Sequence, residues 1–159
     1  MVVTSAGRVF AFGRNDSYQL GVALASGTQH LAGGARIGVD KLLQEGSDER
    51  QVGPEPVQVI GLRWKAVCEI SCGDAHNLAR CIGGDVYAWG LGGSGRLGLG
   101  HYKSVHIPAK VDLGGRECTG VAAGFYHSLA VVAGGEMLAW GSGDCGQLGS
   151  PHLCCADWY

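Results

Sequence analysis

A seven-residue segment that returns at a fixed spacing constrains this chain more than any other feature. Gly84-Asp85-Val86-Tyr87-Ala88-Trp89-Gly90 recurs as Gly135-Glu136-Met137-Leu138-Ala139-Trp140-Gly141, an offset of 51 residues. At the same offset, Cys72-Gly73-Asp74-Ala75-His76-Asn77-Leu78-Ala79 lies over Ala123-Gly124-Phe125-Tyr126-His127-Ser128-Leu129-Ala130, and Arg96-Leu97-Gly98 lies over Gln147-Leu148-Gly149. A further copy opens the chain, with Gly7-Arg8-Val9-Phe10-Ala11-Phe12-Gly13 followed by Gln19-Leu20-Gly21. Its distance to the next copy is 77 residues, 26 more than the basic period. The excess falls between Gly21 and Pro54, which places an insertion at residues 22–53. Self-similarity at one period means a repeat architecture, in which each unit buries its apolar face only against its neighbours.

Within a repeat the pattern is β. Asp85–Trp89 and Ala66–Cys72 are short runs rich in β-branched or aromatic residues and bounded by glycine. No repeat holds an apolar 3.6-residue period long enough for a helix. Glycine supplies 29 of 159 residues in a chain that is still 46% hydrophobic, which suits strands punctuated by tight turns rather than a linker. Several short strands per unit, repeated, predict propeller blades.

The order Gly–x–apolar–aromatic–Ala–Trp/Phe–Gly, then Gln-Leu-Gly, then Pro, then Ala-Gly-x-x-His-Ser-Leu-Ala resembles the RCC1 (regulator of chromosome condensation) repeat family. The copy Gly135–Gly149 keeps that pattern nearly intact; the middle copy departs at Arg96 and Cys72, and the first at Phe12. The resemblance implies a seven-bladed ring of four-stranded antiparallel sheets, with blade boundaries offset from the sequence repeat. Seven units of this period need about 357 residues, so the expected fold is all-β, a partial RCC1-like propeller of about three four-stranded antiparallel blades or parts of blades in an incomplete ring. The expected organisation is propeller repeats over 1–149 (partial repeat 1–21, loop insertion 22–53, repeats 54–98 and 99–149) and an unmatched tail over 150–159. Open edges on such an arc invite self-association.

The structural repeat positions are Phe12, Gly13, Leu20 and Gly21 in the first copy. Gly73, His76, Trp89, Gly90, Leu97 and Gly98 hold them in the second, and Gly124, His127, Trp140, Gly141, Leu148 and Gly149 in the third. Trp89, Trp140 and Phe12 share one position and are expected to pack in the core or between blades. His76 and His127 each could serve as ligand or general base, but recurrence per blade favours a structural hydrogen bond. Gly90-x-Gly92-x-x-Gly95 and Gly141-x-Gly143-x-x-Gly146 spell a dinucleotide fingerprint. Their repetition at the blade spacing, with Leu-Gly where a helix should begin, makes them turn glycines.

The chemistry-bearing residues point away from catalysis. No Ser/His/Asp set or close carboxylate pair stands out. The seven cysteines form no Cys-x-x-Cys pair. Cys68 and Cys72 could share a core-facing strand face, and His152 with Cys154 and Cys155 is a faint metal pattern. No catalytic, cofactor or metal site is therefore expected. Free thiols and the lack of a secretory leader suit cytosol or nucleus. A net charge of −2 gives no reason to expect nucleic acid, and Val121–Ala133 is too short to span a bilayer.

The candidate partner contacts are Trp64 with Arg63, which lack a counterpart in the next repeat, and Asp40, Lys41 and Glu45 in the insertion, where 39–45 reads as a helical turn or two. For Trp64 the competing expectation is a half-buried strand residue. The expected function is a non-catalytic protein-interaction scaffold. The resemblance implies two alternatives: a guanine-nucleotide exchange factor for a Ran-like small GTPase, or the regulatory propeller of a larger ubiquitin-ligase or kinase protein. The Gly-Trp-Arg-His-Thr segments of the plant UV-B photoreceptors of this fold are replaced here by Gly73–Asn77 and Gly124–Ser128, so photoreception is not expected.

Overall fold

A computed structural model describes residues 1–21, 29–30, 36–37 and 52–149. Its strands are β1 (Val2–Val3), β2 (Val9–Arg14), β3 (Gln29–His30), β4 (Arg36–Ile37), β5 (Val52–Gln58), β6 (Val67–Cys72), β7 (His76–Cys81), β8 (Val86–Gly90), β9 (Val105–Val111), β10 (Cys118–Ala123), β11 (His127–Val132) and β12 (Met137–Gly141). They form antiparallel sheets in the orders β1-β2-β5, β6-β7-β8-β9 and β10-β11-β12, with β3-β4 a separate short ribbon inside the insertion. The all-β expectation holds. Helical structure among the described residues is limited to two single 3-10 turns, Ile60–Leu62 and Gly93–Gly95. Among the described residues no helix is long and apolar enough to cross a membrane.

The middle sheet is a complete four-stranded blade. Its strands run over residues 67–111, so it takes β9 from the sequence repeat that begins at 99. The first sheet in the same way gains β5, whose first two residues fall within 22–53. Blade and sequence repeat are thus out of phase, as the resemblance implies. Residues 40, 41 and 45, the helical reading of 39–45 and the tail from 150 lie outside the described residues.

The core sits between blades rather than within them. Successive residues of a strand point to opposite faces. In β8, Tyr87 and Trp89 therefore pack one way, with Val9, Ala11, Leu20, Val57 and Val59 of the first blade. Val86 and Ala88 pack the other way, with Ala130, Leu138 and Trp140 of the third. β8 is consequently buried along its whole length, which explains why it reads as a continuous apolar run. Both layers bury the repeat's tryptophan, Trp89 at 0% exposure and Trp140 at 4%.

Phe12 corrects the expectation for its position. It is 45% exposed: Trp89 and Trp140 each pack on the Leu-Gly of the preceding copy, and the described residues offer Phe12 no such seat. Cys68 and Cys72 are also exposed rather than in the core. A bulge between Val67 and Glu69 puts Cys68 out of the regular alternation, and its Sγ reaches the Arg80 carbonyl at 3.4 Å.

Candidate protein-interaction face

Adjacent blades are joined by a polar clasp that uses the repeat positions. The carbonyl of Gln19 accepts Trp89 Nε1–H at 3.0 Å and Asn77 Nδ2–H at 2.8 Å. One repeat on, the carbonyl of Arg96 accepts Trp140 Nε1–H at 2.9 Å and the Ser128 hydroxyl at 2.7 Å. Each indole lies on a glycine. A Cβ on Gly98, whose φ is +66°, would stand 2.7 Å from Trp140 Nε1, and Gly21 faces Trp89 in the same way. The Leu-Gly that follows Gln19 or Arg96 in sequence is therefore an inter-blade seat.

His76 extends the second clasp. Its Nε2 lies 2.8 Å from Ser128 Oγ, and since that hydroxyl donates to the Arg96 carbonyl, Nε2 carries the proton. Burial, with Arg96 and His127 adding to it, pushes the His76 pKa down to about 4, so the ring is neutral at physiological pH. Nδ1 is buried without a hydrogen-bond partner. Through Ser128 the ring is tied to the backbone of Arg96. His127, at the same position of the third blade, is half-buried.

The glycine fingerprint forms no nucleotide cradle. Gly90 (φ +107°) ends β8, and Gly93–Gly95 is one 3-10 turn leading to buried Leu97. No group of three or more His, Cys, Asp or Glu side chains among the described residues is placed to hold a metal ion.

One end of the blades presents a built apolar surface. The turn between β10 and β11 displays Phe125 at 57% and Tyr126 at 44% exposure, edge to face with centroids 4.6 Å apart. Arg96 braces them from beneath. It is 3% exposed, its Nη1–H donates to the Phe125 carbonyl at 3.2 Å, and its guanidinium lies 4.6 Å from the Tyr126 ring centre. Ser142 N–H closes the turn on the Tyr126 carbonyl at 3.0 Å. Gln147, at the position of Arg96, instead takes the Cys145 N–H within its own turn, as Gln19 takes that of Ser17. Replacing this glutamine by arginine thus turns a local lock into a cross-blade brace.

Of the predicted contacts, Arg63 and Trp64 lie within the described residues, and Asp40, Lys41 and Glu45 do not. Trp64 is 86% exposed in a turn, with Arg63 stacked at 5.1 Å, so the half-buried strand reading is wrong. The turn departs from the strand period because the Ile60–Leu62 3-10 turn drives Leu62, not Trp64, into the core. Trp64 precedes β6, whereas the Phe125–Tyr126 turn follows β10, its counterpart in the third blade. The two surfaces therefore lie at opposite ends of the blades. Phe125, Tyr126 and Arg96 were not singled out as contacts from sequence. The available signal was the pair of departures, Arg for Gln and Phe-Tyr for Asp-Ala, at positions that otherwise follow the repeat.

Comparison with known proteins agrees with this architecture. The family model for the regulator of chromosome condensation (RCC1) repeat matches residues 6–80 and 83–131, and a second model of the same description matches 67–96 and 118–147. The chain is 40% identical over 98 residues to the human probable E3 ubiquitin-protein ligase HERC6, covering 60% of this chain and 9% of that protein. It is 30% identical over 154 residues to RUG3 of Arabidopsis thaliana, an RCC1 domain-containing mitochondrial protein, covering 96% of this chain and 29% of that one. The crystal structure of human WBSCR16 superposes with a TM-score of 0.72 at 27% identity, over 95% of this chain and 33% of that chain. The chain thus spans a third or less of these relatives.

Proposed function

The chain belongs to the RCC1 repeat family, and on that premise we propose that it is a non-catalytic protein-interaction scaffold. The braced Phe125–Tyr126 pair carries this reading. Aromatic side chains with arginine are the usual anchors of protein interfaces. A turn already held by Arg96 and Ser142 loses little entropy on binding. No constellation among the described residues suits acid–base or nucleophilic chemistry.

The 40% identity to HERC6 supports a second reading, in which these repeats are the regulatory propeller of a larger ligase. Guanine-nucleotide exchange on a Ran-like GTPase is a third, which needs no motif of its own. Labelled-nucleotide release from such a GTPase, with the longest native form of the protein, separates exchange from scaffolding. The scaffold reading predicts no stimulation.

The direct test is the Phe125→Ala/Tyr126→Ala double variant. Immobilised wild-type protein is expected to retain a partner that the double variant loses, with the melting temperature of the two unchanged. Equal retention by both would remove this face from the function.

A further inference from the structure

The end of the middle blade away from Phe125 carries a surface that blade architecture does not require. Three turns converge there on Ala66 and Val67. Val67 N–H donates to the Gly7 carbonyl at 3.4 Å, Ile82 N–H donates to the Ala66 carbonyl at 2.9 Å, and the Arg63–Lys65 turn leads directly into both residues. Trp64 is 86% exposed and Ile82 70%. At the repeat offset their counterparts in the third blade are Gly115 and Ala133. A residue needed to build a blade recurs in each blade; these two large apolar residues do not.

The platform under them is rigid. Leu62 is fully buried, and the backbone N–H groups of Leu62, Arg63 and Lys65 donate to Val59, Ile60 and Leu62 at 3.2, 3.0 and 3.0 Å. Arg63 covers one face of the indole at 5.1 Å, and Lys65 lies 5.3 Å from the Tyr87 ring centre. With so little of Trp64 covered, the remainder of the indole is open for a partner.

Charge decides the partner. The exposed cations Arg63 and Lys65 flank Trp64 in sequence, and exposed Arg8 follows Gly7, whose carbonyl accepts Val67 N–H, in a chain whose overall charge is −2. Asp85, the carboxylate that acts on Lys65, is paired with Lys110 at 2.7 Å. Glu117 lies beyond it, against Gly84 on the side of the third blade.

We propose that Arg63, Trp64, Lys65 and Ile82, with Arg8, form a second docking surface that binds an acidic segment of another protein carrying an apolar side chain. The apolar group would cover Trp64 and Ile82, and the flanking carboxylates would meet the three cations. Such a contact weakens with salt, because exposed charges are screened over about 10 Å at 0.1 M.

The test uses the whole chain and a fluorescein-labelled peptide of alternating Asp and Leu, followed by anisotropy. Control peptides carry Lys for Asp, or Ser for Leu. The acidic, apolar peptide alone should bind, more weakly as salt rises. Trp64→Ala should raise its Kd about tenfold or more, and Arg63→Glu/Lys65→Glu should abolish binding. All these side chains are exposed, so the melting temperature should not move. Phe125→Ala/Tyr126→Ala should leave the Kd unchanged, which separates failure here from failure of the scaffold face. The proposal is overturned if the acidic peptide does not bind, if the lysine peptide binds as well, or if Trp64→Ala has no effect. It is equally overturned if Trp64→Ala instead abolishes binding to phosphatidylserine vesicles or a concentration-dependent dimer of the chain.

Discussion

At the residue scale, buried polar groups set how the fold responds to pH and substitution. His76 titrates near 4 in the folded chain and near 6.5 when unfolded. Between those values the unfolded state holds the extra proton, so stability falls as pH drops from about 6.5 towards 4. The loss should be on the order of 3 kcal/mol. His106, its pKa lowered by burial, acts in the same direction. Urea unfolding at pH 7.5 and 4.5 should show this loss, and His76→Gln should show less of it while being weaker at pH 7.5. Equal pH dependence in the variant would contradict the burial of the neutral ring. Trp140, 4% exposed, gives a second test: Trp140→Ala should cost about 3–5 kcal/mol, and a change below about 1 kcal/mol would mean the tryptophan does not fill the inter-blade layer. The role of Trp140 was legible in the sequence because it recurs. That of Arg96 was not, since only the three-dimensional path shows that its guanidinium leaves its own turn and passes under Tyr126.

At the element scale, the clasp explains why Gln-Leu-Gly and the polar residue after the histidine recur together. Ser128 stands between the His76 ring and the Arg96 carbonyl. Ser128→Ala should therefore destabilise the blade contact by about 1–3 kcal/mol, because it strands buried partners. In a double-mutant cycle with His76→Gln the two losses should fall short of additive, as expected for one network. Additive losses, read from denaturant midpoints, would mean that the two residues act separately. Strand positions were readable from the alternation of glycine with apolar and aromatic runs. Blade membership was not, because β5 and β9 pair with the preceding unit's strands across long connections that leave no local pattern. The sequence left Trp64 open between a partner contact and a half-buried strand residue for a related reason: a 3-10 turn of three residues, too short to show a period, resets which side chain faces inward.

At the scale of the whole molecule, the chain is an arc whose apolar layers are buried between blades and whose outer sheets keep apolar side chains in water. Val2 and Phe12 are exposed on the first sheet, and Val131 and Met137 on the third. The isolated chain should accordingly self-associate with rising concentration, and Phe12→Ser should reduce this, as light scattering would show. A monomer at all concentrations would mean that these faces are covered by other means. The repeat period together with the resemblance to the RCC1 repeat implied part of a ring, yet nothing periodic could reveal the interaction surfaces, which lie where one blade departs from the next. The central claim is that the chain binds another protein through the Arg96-braced turn. The most direct measurement places a photo-reactive benzophenone residue at Phe125 and, in a control, at Ile107, exposed on β9. The account predicts a discrete cross-linked partner from position 125 and none from 107. The same products from both positions, or none from 125, would contradict it.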